Sequence, residues 1–412
     1  MASSTAAYLC AFLMSVASVM FWVGLPYLAK EWFGAGALQL GILGGCSAGA
    51  YVVTCLFAGR LGGRVRPRHL VGAGALVLAT VTLLAGVAWS MWVLFLLSAV
   101  LGFGHGLFWP FLETHLAAGV GPSELRHRMG WFNFSWSAGD VVGALAGGGL
   151  HFAFRLLAED TGAQAMKALP FLFSTLLGVL ICILALRRMH AAPEQRSWRD
   201  GNDHKVPRSP ARGGAAFLAV FWIMALVANW GASAFRGILQ NVFPDMAKDF
   251  LHYSRLEWGL LLAMLPLTRT LMFLYWQRHE GWSYNARYLF GFQLLLPLAA
   301  LICIFASDYW MFLVAFAMVG VAMSKTYFSS IYYGLDSDHS HERRGGIHEA
   351  SLGSGGALGP PLAGLCAWLS GHRRAPYLFA FAFLAMGILL QAWLYLRGRR
   401  RVETSSEDGE KN

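Results

Sequence analysis

Residues 130–148 read GWFNFSWSAGDVVGALAGG, and residues 346–364 read GIHEASLGSGGALGPPLAG. Set one above the other, they bring Gly130, Ser135, Gly139, Gly143 and Gly148 onto Gly346, Ser351, Gly355, Gly359 and Gly364, and the preceding Arg128 onto Arg344. A nearby offset lays Pro26, Ala29, Lys30 and Glu31 on Pro244, Ala247, Lys248 and Asp249, then Gly41 on Gly259, Arg60 on Arg278, Gly63 on Gly281 and Gly102 on Gly320. The chain is therefore two halves of one design. Each glycine-rich stretch is about the roughly 20 residues that a helix needs to cross hydrocarbon, and its small residues let a second helix backbone approach closely.

The rest of the sequence has the same character. Of the 412 residues 57% are hydrophobic and 13% charged, against ~45–50% and ~25% in an ordinary soluble domain. Long apolar runs fall near 5–28, 37–58, 70–89, 92–116, 130–153, 169–186, 215–243, 256–276, 288–306, 309–334, 346–369 and 376–396. Continuous runs of this length are unlike the ~10-residue alternating segments of a membrane barrel, so an all-α protein of twelve spans is expected. No Lys or Arg precedes the first run, and it exceeds a secretory core, so it is expected to stay as a span. The net charge of +10 is explained by topology without a nucleic-acid partner. With the amino terminus inside, the inner segments hold Arg60, Arg64, Arg66, Arg68, Arg126, Arg128, the 187–212 cluster, Arg278, Arg287, Arg343, Arg344 and the basic tail, while the outer ones hold only Lys30, Arg155, Lys167, Lys248, Arg255, Arg373 and Arg374. Both termini are accordingly expected in the cytoplasm, in a plasma membrane of the bacterial inner type. Expected units are an amino-terminal bundle (1–188), a polar linker (189–214), a second bundle (215–397) and a tail (398–412). Cys10, Cys46, Cys55, Cys182, Cys303 and Cys366 all fall in spans with no CxxC spacing and read as packing residues.

The fifth run, with Gly130, Gly139, Gly143, Ala144, Gly147 and Gly148, resembles the antiporter motif G-x8-G-x3-GP-x2-GG of the major facilitator superfamily, with Ala144 in place of proline; the eleventh repeats it with Gly346, Gly355, Gly359, Pro360, Ala363 and Gly364. The loop from Gly59 to Arg68 is similar to that superfamily's G-x-L-a-D-R-x-G-R-R/K signature, with Gly63 at the aspartate position. The resemblance implies two six-helix bundles in parallel repeat, a solute site near the bilayer midplane between them, and alternating access. It also implies that the third, sixth, ninth and twelfth helices face lipid while the others line the path.

Glu113, Asp140, Arg236, Arg269, Lys325 and Glu349 lie inside the spans, and none is on those four outer helices. A central charge costs about 2.5–3.5 kcal/mol even on insertion scales, so these groups must be paired or hydrated. Arg236, Arg269 and Lys325 form a basic trio suited to an anionic or zwitterionic solute, with Trp109, Asn229 and Trp230 as further substrate contacts; the same charges can instead serve as ion pairs that hold gates between the halves. Trp22, Trp131, Trp136 and Trp222 also fall on cavity-forming helices. Asp140 is the first candidate for a coupling proton, followed by His105, Glu113 and Glu349, although a permanently paired Asp140 fits the sequence equally. Trp109-Pro110 and Asn229-Trp230-Gly231 are expected to break or bend their helices.

Neither a G-x4-GK[ST] loop nor HExxH occurs, so an enzyme, an ATP-driven pump or a cofactor is not expected. The loop with Asp336, Asp338, His339 and His341 reads as solvated rather than metal-binding. The expected function is a secondary transporter of a small organic anion or amphipathic zwitterion, monomeric and proton-coupled. A proton-driven exporter of amphipathic drug-like compounds and a transport-inactive sensor on the same scaffold are the alternatives.

Overall fold

The structure is a computed structural model that describes residues 2–61, 65–118, 122–189, 215–279, 281–335 and 341–410. The linker 190–214, Gly63 and the segment 336–340 with Asp336, Asp338 and His339 lie outside the described residues. The first half comprises α1 (Ala2–Phe33), α2 (Ala37–Leu61), α3 (Pro67–Ala85), α4 (Met91–Ala117), α5 (Pro122–Thr161) and α6 (Pro170–Arg188). The second comprises α7 (Ala215–Asn241), α8 (Phe243–Asp249), α9 (Arg255–Arg278), α10 (Ala286–Gln293), α11 (Leu295–Phe305), α12 (Tyr309–Leu335), α13 (His341–Ser370) and α14 (Ala375–Glu410). No strand occurs among the described residues.

These elements form twelve spans in two pseudo-symmetric six-helix bundles, because α8 extends α7 across Val242 and α10 with α11 make up the ninth span. Among the described residues, eleven segments are long and apolar enough to cross a membrane. The span not among those eleven is α13, the eleventh in chain order, whose amino-terminal end carries polar residues such as His348 and Glu349. It is sheltered from lipid by α2, α7, α12 and α14, which all pack on it.

Neither of the two places where a break or bend was expected breaks its helix. α4 runs unbroken through Pro110 and α7 through Asn229–Gly231, as membrane helices tolerate such residues where neighbours satisfy freed backbone groups. The break falls instead at Leu294 in the ninth span, where Pro297 has no amide hydrogen to return to the Gln293 carbonyl. α14 continues to Glu410, through most of the segment expected as the tail.

The glycine motifs explain the seams. A Cβ on Gly143 would sit 2.7 Å from the Val16 carbonyl oxygen and one on Gly147 2.9 Å from the Met20 Cα, while Gly139 abuts the Phe12 carbonyl, so these glycines seat α5 on α1. Gly355 and Gly359 do the same for α13 on α7, at Trp230 and Ala234. The last glycine of each motif faces across the molecule: Gly148 meets Gly259 of α9, and Gly364 meets Ala37 of α2. Gly41 abuts the Pro360 carbonyl as its repeat-mate Gly259 abuts that of Ala144. Ala144 and Pro360 thus occupy equivalent places, and the missing proline changes no contact partner. Gly346 has open space around it and Gly130 is half-buried, so the motif's first position takes no part in either seam.

Gly259→Leu would drive a side chain into the α5 backbone, where a Cβ already stands 2.7 Å from the Ala144 oxygen. Overpacking of this kind is expected to lower stability by about 1–3 kcal/mol. Thermal denaturation in nanodiscs measures it, and Gly291→Leu, at a glycine with nothing within 4 Å, serves as the neutral control.

Candidate functional site

Between the halves, α5 presents Trp136, Ser137 and Asp140 to α9, which presents Arg269 and Thr270. Arg269 Nη2 donates to Asp140 Oδ2 at 2.7 Å, its Nε donates to Ser137 Oγ at 3.2 Å, and its guanidinium lies 4.3 Å from the Trp136 ring centroid. Ser137 Oγ and Thr270 Oγ1 are 2.6 Å apart. Asp140 and Arg269 are both buried, so each depends on the other for its charge.

Arg236, on α7, faces the same place but has no hydrogen-bond or ion-pair partner among the described residues. With Gln240, Asp140, Arg269, Val19, Leu262, Leu265 and Pro266 it lines a cavity of about 20 Å³, room for roughly one water. One carboxylate stands there against two guanidiniums, a net surplus of one positive charge.

Toward the carboxy-terminal end of α1, ion pairs tie the halves together and form a latch. Lys30 Nζ lies 2.5 Å from Asp245 Oδ1 and 2.8 Å from Asp249 Oδ2. Glu31 receives Lys248 Nζ at 3.4 Å and Arg255 Nη2 at 2.8 Å. The pairing is reciprocal: Lys30 and Glu31 are the repeat-mates of Lys248 and Asp249, and each lysine bridges to the other half's acid. Arg255 is 1% exposed, and its other terminal nitrogen reaches His151 Nδ1 at 3.4 Å.

At the opposite end the described residues are arranged differently, with His348 Nε2 4.0 Å from Glu349 Oε1. Tyr51 of α2 donates its hydroxyl to Glu349 Oε2 at 2.9 Å, and Glu113 of α4 is close enough to Glu349 to feel its charge. His348 hydrogen-bonds Ser330 Oγ at 2.8 Å and meets the Tyr327 ring edge-on at 4.8 Å. Tyr327 in turn lies 6.2 Å from the Trp136 ring, which links this end to the Arg269 site.

The expected site residues are thus only partly brought together. Arg236, Arg269 and Asp140 converge. Lys325 does not join them: it sits in an aromatic box, 3.9 Å from the Trp282 centroid and 5.2 Å from that of Trp276, donating to the Trp282 carbonyl at 3.2 Å. Trp109 packs on Phe108 and Phe132 inside the first half, and Trp230 on Phe383 of α14. Asn229 is buried with its Nδ2 unpartnered. His105 pairs with Ser18 Oγ at 3.0 Å within the first half. The latch residues and His151 escaped the sequence reading, although the repeated Lys-acid dipeptide was visible as a signal.

Two repeated helical bundles, a charged cavity between them and ion pairs joining them at one end define a two-bundle membrane transporter. The chain belongs to the Major Facilitator Superfamily, whose family model matches residues 7–345 and 231–412. Among solved structures it is similar to a bacterial homologue of the human lysosomal transporter Spinster in an inward-facing, unoccupied conformation, with a TM-score of 0.70 and 17% identity, covering 98% of this chain and 97% of that one. It is also similar to the nucleoside transporter NupG, with a TM-score of 0.66 and 12% identity, covering 97% of this chain and 99% of that one. Identities this low speak for the fold alone. No curated protein sequence matches the chain.

Proposed function

We propose that this transporter carries a small organic anion or amphipathic zwitterion by alternating access, with Asp140 as the coupling proton site and both termini cytoplasmic. In that orientation the Lys30/Glu31 latch is the outer gate. The unpartnered guanidinium of Arg236 carries the reading. It lines the midplane cavity beside an Asp140–Arg269 pair that is already neutral, and a planar guanidinium binds carboxylate or phosphate in a forked geometry. An amphipathic cation would meet two guanidiniums there, which disfavours a cationic drug as cargo. Coupling follows from the pair itself: a proton on Asp140 would free Arg269 to turn to the solute, and its loss would restore the pair.

The test is a thermal-shift screen of the purified protein against metabolite pools at two pH values, since a ligand that binds only the folded state stabilises it by mass action. Stabilising compounds are expected to be anionic. Arg236→Gln should weaken their binding by about ten- to a hundred-fold, the worth of a hydrogen bond to a charged group at ~1.5–3 kcal/mol. Anionic ligands that bind Arg236→Gln as tightly as the parent would overturn the assignment.

A further inference from the structure

His151, on α5, is buried at 2% exposure and takes no part in the midplane site. Its ring lies over Gly24 of α1, where any Cβ would run into the imidazole. Phe171 of α6 stands edge-on at 5.0 Å. One ring nitrogen, Nδ1, is 3.4 Å from Arg255 Nη1, and the ring also hydrogen-bonds the backbone of Met20. A guanidinium can only donate and a carbonyl can only accept. The ring fitting both is therefore the neutral tautomer, with the lone pair on Nδ1 toward Arg255 and the hydrogen on Nε2 toward the Met20 carbonyl.

Arg255 is the charged group that faces the ring. From α6 only Phe171 meets it, and α1 offers the Met20 carbonyl and Gly24. Tyr27 and Glu31 of α1 and Lys248 of α8 gather on Arg255 or its partner Glu31. Arg155, one turn on in α5, is held by Glu159 at 3.0 Å, and Glu257 of α9 is spent on the Ser254 cap. Among the described residues no carboxylate pairs with the imidazole.

We propose that His151 is a proton-binding site built into the latch, and that binding a proton there unlocks it. A proton on Nδ1 would replace the accepting lone pair with a donor and set a second cation against Arg255, where the imidazole of α5 meets the Glu31–Arg255 bridge. The closed latch and the charged imidazole exclude each other. Once the end is open and wet, the ring takes up a proton near the ordinary histidine value of ~6.5; shedding it lets the halves close. Acid on the latch face thereby favours the conformation open to that face, by a route separate from Asp140.

Spin labels at the exposed positions Asp160 and His372, in the full chain in nanodiscs with the native cysteines replaced, read the separation of the halves. Lowering the pH from about 8 to about 5 spans the histidine range and should raise the long-distance population at least about fivefold. His151→Gln keeps an acceptor for Arg255 and a donor for Met20, and should hold the short distance throughout. His151→Lys places a fixed cation there and should hold the long one. The response should persist in Asp140→Asn. A parent protein insensitive to pH, a His151→Gln protein that still responds, or a response lost in Asp140→Asn would each overturn the proposal; the last would move the proton to the midplane site and leave the reading of that site standing.

Discussion

An Arg269→Ala protein is expected to be less stable than its parent by about 3–5 kcal/mol, the usual consequence of removing one partner of a buried ion pair. Asp140 is 8% exposed, and of its surroundings only Arg269 brings a neutralising charge within hydrogen-bond range. The deletion also unstacks Trp136 and strips Ser137 of a donor. Joining it to Asp140→Asn should recover most of the loss, because the uncompensated carboxylate and not the missing attraction is the larger part. Thermal denaturation of the four proteins of that cycle checks this. Asp140→Asn alone should retain solute exchange but lose accumulation driven by a proton gradient. If it still accumulates solute, the coupling role fails while the structural role stands.

The second large effect is expected from Glu31→Gln. Arg255 is 1% exposed and its carboxylate partner is Glu31, which also receives Lys248. Neutralising Glu31 leaves two cations at the latch with no acid between them. The closed arrangement should lose about 3 kcal/mol, a shift of over a hundredfold between closed and open at ~1.4 kcal/mol per factor of ten. A cysteine at Gln240, on the wall of the midplane cavity, reports it in a background without the native cysteines. Its alkylation by an impermeant maleimide from the latch face should rise by an order of magnitude or more. Unchanged labelling would mean that the latch does not govern access. Lys30→Gln should also weaken the latch, because water can replace the pair at Asp249, 41% exposed, but less readily the one at Asp245, 16% exposed.

Which helices carry the buried charges was legible in the sequence, because an ionisable residue stands out wherever it falls in an apolar run. That Arg269 would pair with Asp140 was not: the sequence reading gave the arginine to the solute and the aspartate to the proton. Direction around the axis was not legible. A span surrounded by lipid and protein is apolar on every side, so no polar stripe reveals which face looks inward. Lys325 illustrates the failure: it was grouped with Arg236 and Arg269, yet it is turned into the box of Trp276 and Trp282. Trp109 and Trp230 failed for the same reason, each turned into its own bundle. The glycine motifs succeeded because a close approach fixes both depth and direction. Gly148 needed Gly259, and both sequence stretches recorded the contact.

The crossed bridges at the latch, Lys30 to Asp249 and Lys248 to Glu31, have the form that a two-fold axis imposes on identical subunits, where residue i meets j and j meets i. A gene half this length, encoding one six-helix unit, would make the same bridge twice on pairing with a copy of itself. Joining two such genes end to end would preserve both bridges from the outset. Arg255, Asp245 and the imidazole of His151 then read as later embellishments, free to differ because fusion had released the two copies from having to mutate together.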